Sequence, residues 1–174
     1  FSKHGYHQTS ISDIVQAAGI ARGTFYLYFD SKQAIFHELL ENLLHHLRTN
    51  IVGVDTSSKA PPIPLQLQQT VKRILETALE NRALTQIIFR EAIGIDEEMD
   101  QRLYTFYDNL HTFIDLSLQA GQRLNLIREM DTHVAARCVL GSIRGVIEHA
   151  LFDETAAVDP DVLATAVLEF NLRG

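Results

Sequence analysis

Residues 32–51 carry Ile35, Phe36, Leu39, Leu40, Leu43, Leu44, Leu47 and Ile51 on a single stripe. Residues three and four apart share a helix face, whereas residues two apart share a strand face, so this spacing buries its apolar side only as a helix. The period recurs along the chain: in Ile11, Ile14, Val15 and Ala18; in Leu67, Val71, Ile74, Leu75, Ala78 and Leu79; in residues 83–93; in Met99, Leu103, Phe106, Leu110, Phe113, Ile114 and Leu118; and in residues 132–152. Asp159-Pro160 opens a last helix, since proline suits the first helical turn. Gly19 and Gly94 end two of the helices, and the stretch GVDTSSKAPPIP at 53–64 reads as a linker, either between domains or within a helical bundle. No stretch alternates with period two. The predicted fold class is all-α.

Composition narrows the function. Hydrophobic residues at 46% and charged residues at 21% supply a core and exclude a disordered chain. The net charge of -7 opposes phosphate binding, but it is unevenly placed. Residues 1–50 balance Lys3, Arg22, Lys32 and Arg48 against Asp13, Asp30, Glu38 and Glu41, so the acidity belongs to the rest of the chain. A neutral module with its cations on one face still binds DNA. The lone Cys138 excludes an internal disulfide and fits a reducing cytoplasm. No run of 18 apolar residues predicts a membrane span, and no signal peptide is visible. The opening Phe1-Ser-Lys-His-Gly, without an initiator Met, points to a missing start.

Residues 9–36, TSISDIVQAAGIARGTFYLYFDSKQAIF, place two short helices about Ala18-Gly19-Ile20. Thr9 or Ser10 caps the first, and Asp13 suits its positive end. Gly19 supplies the positive φ of a tight turn, while Ile14, Val15, Ile20 and Phe25 form the small core that sets the crossing. This is a helix-turn-helix, whose second helix enters the major groove. The pattern T-x-I-x-D-I-x-x-A-A-G-x-x-x-G-T-F-Y-x-Y-F-x-S-K over residues 9–32 resembles the DNA-binding signature of the TetR family, with Gly5-Tyr6 before it and Ile35-Phe36 after it in agreement.

The resemblance implies an N-terminal reading head over residues 1–34 and an all-helical sensing and dimerisation domain over 35–174. The family's supporting first helix precedes the signature, and only its end, around residues 1–4, falls within the chain. Thr9 and Ser10 can offer hydroxyl and N–H to a phosphate, or act as caps only. Arg22 reads guanine or holds a phosphate, Gly23 allows close backbone approach, and Thr24 meets a thymine methyl or a phosphate. The resemblance turns Tyr26 and Tyr28 toward the DNA backbone and makes Lys32 a phosphate contact. Phe25 and Phe29 read as core; Leu27 is groove-facing or simply exposed.

By the same resemblance, the last two long helices build a four-helix bundle with a second copy. Ala135, Ala136, Gly141, Ser142, Gly145 and Ala150 allow close helix approach. Val139, Ile143, Val146 and Ile147, with Val162, Leu163, Ala166, Val167 and Phe170, supply apolar area for a homodimer interface, or else for an intrachain core. The sensing pocket falls among Phe89, Phe106, Tyr107, Leu110 and Phe113, with Ile143 and Ile147 opposite. Arg90, Glu91, His111, Arg144 and His149 are its polar anchors. Plain core and a paired structural arginine are the alternatives for these residues. The expected partners are a pseudo-palindromic double-stranded DNA operator, a second copy, and an apolar or amphipathic small molecule whose binding releases a repressor through the lever of helix 32–52; no cofactor, metal or membrane partner is expected.

Two other classes are weighed. Adjacent His45 and His46 cannot face one metal from a helix, and no phosphate-binding glycine loop, H-E-x-x-H or G-x-S-x-G is present, so catalysis is not expected. A helical adaptor would lack the basic, tyrosine-rich spacing of residues 22–32.

Overall fold

A computed structural model describes residues 1, 4–90, 94–153 and 159–173. Among these the backbone forms α1 (Gly5–Gln8), α2 (Ile11–Ala18), α3 (Arg22–Tyr26), α4 (Lys32–Asn50), α5 (Ile63–Glu80), α6 (Arg82–Arg90), α7 (Glu97–Arg123), α8 (Thr132–Phe152) and α9 (Pro160–Arg173), with no strand. None of the helices is long and apolar enough to cross a membrane. The starts follow local chemistry: Ser31, Asp96 and Asp131 accept the N–H groups of Ala34, Met99 and Val134. The linker is shorter than its composition suggests, because Pro64 falls in the first turn of α5, where its missing N–H costs nothing.

Two apolar cores run side by side. The first joins Tyr6 of α1 to Phe36, Leu40, Leu43 and Leu44 of α4, Ile87 and Ile88 of α6, and Met99, Leu103 and Phe106 of α7. The second joins Val71, Leu75 and Ala78 of α5 to Ile143, Ile147 and Leu151 of α8 and Ala164 and Val167 of α9. Phe89 packs against both. The first core is why α4 acts as a strut: one face of the same helix holds the N-terminal segment and the middle helices.

Polar pairs fix the seams. His37 Nε2 lies 3.0 Å from Asp96 Oδ2, and Arg102 reaches Glu41 and Glu98 at 2.7 Å each, tying α4 to the start of α7. Lys72 pairs with Asp161 between α5 and α9. Burial alone would raise the Asp96 carboxyl, but the Met99 N–H and His37 outweigh it and hold the group below its ordinary value of 3.8. The folded state therefore binds this proton less well than the unfolded chain. The stabilisation is complete above the ordinary value and is lost as pH falls through the depressed one. Asp96→Ala is expected to lower stability by about 1 kcal/mol at neutral pH and to flatten this part of the acid dependence, read from urea unfolding at neutral and acid pH.

Several residues expected at a dimer interface belong to the chain's own core. Ile143 is buried in the second cluster, and Val139 and Val146 pack against it. The apolar side of α8 packs against α5 and α9. Val162, Ala166 and Phe170 of α9 stay exposed, as an interface requires, and Ser142, half-buried, accepts a hydrogen bond from Asn171 Nδ2 at 2.8 Å.

Candidate nucleic-acid interface

The helix-turn-helix is built from short-range geometry. Ser10 and Asp13 form a capping box: the Ser10 hydroxyl accepts from the Asp13 N–H while the Asp13 carboxylate accepts from the Ser10 N–H at 2.8 Å. The Ser10 side-chain and backbone hydrogen bonds hold the Asp13 carboxyl below its usual range. Gly19 closes α2 at φ 66°, the left-handed region in which a side chain would be strained. The Ile20 N–H returns to the Val15 carbonyl at 3.1 Å, and α3 starts three residues after the glycine. Phe25, 2% exposed, anchors α3; Ile14 and Val15 are half-buried, whereas Ile20 is exposed.

Anchoring Phe25 inward turns its neighbours out. Arg22, Gly23 and Tyr26 are exposed, Leu27 is 81% and Tyr28 77% exposed, and Thr24 is half-buried. The Arg22 guanidinium lies 5.9 Å from the Tyr26 ring centre, which preorganises the cation without engaging it in an ion pair among the described residues. A Cβ on Gly23 would meet nothing within 4 Å, so the protomer's own packing does not require a glycine there. α3 thus exposes a cation, a bare backbone patch and one phenol, and Tyr28 adds a second just beyond its C-terminal end.

Two expected contacts are placed elsewhere. Thr9 is 4% exposed, and its hydroxyl donates to the Gly5 carbonyl at 2.6 Å. It closes the end of α1 and has no free hydroxyl for a phosphate. The Lys32 ammonium donates to the Tyr6 carbonyl at 2.8 Å and the His7 carbonyl at 3.4 Å, and sits 4.3 Å over the Tyr6 ring. It neutralises the carbonyl end of α1 and fastens that turn to α4, a positioning role that the sequence does not suggest because the partner lies 26 residues away. Lys3 lies outside the described residues.

The candidate sensing residues meet around the seam between the cores. Phe106 and Ile147 are buried core, Leu110 and Tyr107 flank the first cluster, and Phe113 is exposed. Arg144 lies 5.0 Å from the Phe89 ring centre and 5.5 Å from that of Tyr107. Burial raises the Tyr107 phenol, and nearby Arg144 partly offsets the rise. Arg90 is stacked on Phe152 at 3.9 Å, and His149 Nδ1 lies 3.9 Å from Asp153 Oδ2; His111 is half-buried on α7, and Glu91 lies outside the described residues. A groove of about 820 Å³ at the α7–α8 turn is lined by residues such as Arg123, Leu126 and Arg128. The sequence gives no sign of it, because nothing in its composition separates it from an ordinary turn.

Comparison with known proteins agrees with this architecture. The profile of the bacterial regulatory proteins of the tetR family matches residues 1–39, the segment from α1 to the first part of α4. The HTH-type transcriptional regulator YdgC of Bacillus subtilis is 29% identical over 177 residues, covering all of this chain and 86% of the relative. The TetR family transcriptional regulator PfmR of Thermus thermophilus shares the fold with a TM-score of 0.79 at 21% identity, over 100% of this chain and 93% of that one. The regulator FadR of Bacillus subtilis, solved in complex with stearoyl-CoA, does so with a TM-score of 0.73 at 23% identity, over 99% and 92%. Residues 1–39 thus form a helix-turn-helix of the tetR-family type, and the whole chain is similar in sequence and fold to bacterial transcriptional regulators.

Proposed function

We propose that the protein is a ligand-released repressor that binds a pseudo-palindromic operator as a homodimer in the cytoplasm, with residues 1–34 as reading head and 35–174 as sensing and dimerisation body. The observation that carries it is the outward side of α3 and the turn after it, where Arg22, Gly23, Tyr26 and Tyr28 stand exposed while Phe25 fixes the helix from behind. Thr24 and Ser10 complete the contact surface, while Thr9 and Lys32 hold α1 in place beneath it. Two such heads on a two-fold axis meet successive major grooves, and a ligand that favours a different head spacing lowers DNA affinity. An amphipathic effector is supported by the aromatic lining around Phe89 and Tyr107 and by the stearoyl-CoA held by one structural relative.

Binding of a fluorescent duplex from the gene's own upstream region, followed by anisotropy across a salt series, tests the reading. Arg22→Ala is expected to weaken binding about 10- to 100-fold, with relaxed specificity if it reads a base and a salt slope reduced by about 1 if it holds a phosphate. Tyr28→Phe, which removes one phenol hydrogen bond, is expected to cost about 0.5–1.5 kcal/mol on every sequence. Unchanged affinity in both variants would refute this reading face and favour an adaptor that uses the motif for protein contacts.

A further inference from the structure

We infer that the effector is an anion, and that Arg144 is the residue that takes its carboxylate or phosphate group. This rests on the sensing role proposed above and specifies the chemistry of that site. Arg144 stands on α8 with its guanidinium near the Phe89 ring of α6 and the Tyr107 ring of α7, so three helices converge on one cation. Among the described residues it makes no ion pair and no hydrogen bond, although Glu148 lies one turn ahead on the same helix and Lys72, Arg102 and Lys32 all find oxygen partners. Arg144 precedes Glu148, the less favourable order for a pair one turn apart, and its guanidinium instead lies beside two aromatic rings from two other helices.

Ring faces suit an anion site. Aromatic neighbours restrain a guanidinium through its cation–π attraction but offer no acceptor, so its five N–H donors stay available for a planar, bidentate oxyanion. The side chain is solvent-accessible, so an incoming anion reaches it without the body opening. The neighbouring apolar residues, Phe89, Tyr107 and Leu110, are half-buried and offer a wall for a hydrocarbon body beside the charged end. A bound anion would draw α6, α7 and α8 together at the seam of the two cores, and α7 is the helix that Asp96 and Arg102 tie to α4.

The test is isothermal titration of the intact protein with two probes of equal tail length below their micelle concentrations, dodecanoate and dodecanol, using wild type, Arg144→Gln and Arg144→Lys. Wild type is expected to bind dodecanoate at least about tenfold more tightly than dodecanol, Arg144→Gln to lose that preference with its dodecanol affinity unchanged, and Arg144→Lys to restore part of it. Equal affinity of wild type for both probes would overturn the anionic assignment while leaving an apolar sensing site intact. A preference for dodecanoate that survives Arg144→Gln would overturn the role of Arg144. Binding of neither probe would overturn the sensing site itself and this inference with it.

Discussion

Phe36→Ala is expected to destabilise the protein by about 3–5 kcal/mol, a large part of the roughly 5–15 kcal/mol that holds a typical domain together. Phe36 is fully buried, and its ring lies 4.9 Å from that of Tyr6 and 5.6 Å from that of Phe1. Truncation opens a cavity where the N-terminal segment, α4 and the middle helices share a core. Lys32 holds the Tyr6 backbone carbonyl, which limits how far that residue can shift toward the gap. Phe36→Leu retains most of the volume and is expected to cost much less. The measurement is the urea midpoint at constant slope, with operator binding at a temperature where the variant remains folded. A loss below about 1 kcal/mol for Phe36→Ala would show that the aromatic joint does not hold α1 to α4.

The residues legible in the sequence are those whose role is decided within one or two helical turns. The stripe from Ile35 to Leu47 locates α4, because a helix of 19 residues repeats its period often enough to exclude other structures. Gly19 and Phe25 locate the turn and the anchor of α3, since a left-handed residue and a large ring between polar neighbours each have few alternatives. α1 has four residues, too few to show a period. Thr9 reads as a capping or phosphate hydroxyl because the same group satisfies a carbonyl four residues back with no distinguishing pattern. Lys32 depends on a partner 26 residues away, and long-range partners leave no local trace. In α8 small and apolar residues run almost all the way round, so composition does not separate Ile143, which faces α5, from Gly141 and Gly145, which face away. Phe106 and Ile147 read as pocket lining for the same reason: a core and a ligand site use the same side chains.

That division of α8 yields the sharpest test of assembly. Gly145→Arg is expected to leave the protomer as stable as wild type, or slightly more so, and to weaken dimerisation at least about 100-fold. A Cβ at Gly145, and likewise at Gly141, meets nothing within 4 Å in the protomer, and replacing glycine by a good helix former in a helix interior gains roughly 0.5–1 kcal/mol. Any loss must then come from a second copy. The exposed side of α8 carries Val134, Cys138, Gly141 and Gly145 in register, and that of α9 carries Val162, Ala166 and Phe170, the last 68% exposed. Large apolar residues held outward on adjacent helices are what the proposed homodimer interface needs, and the glycines leave room for two helices to approach there. An arginine placed there buries an unpaired charge, a penalty of about 3 kcal/mol or more. Sedimentation equilibrium with a parallel thermal melt separates the outcomes. A folded monomer that binds a single half-site weakly locates the two-fold axis at this face. A stable Gly145→Arg dimer would remove α8 from the interface, and the spacing of the two reading heads would then have to be set by another surface.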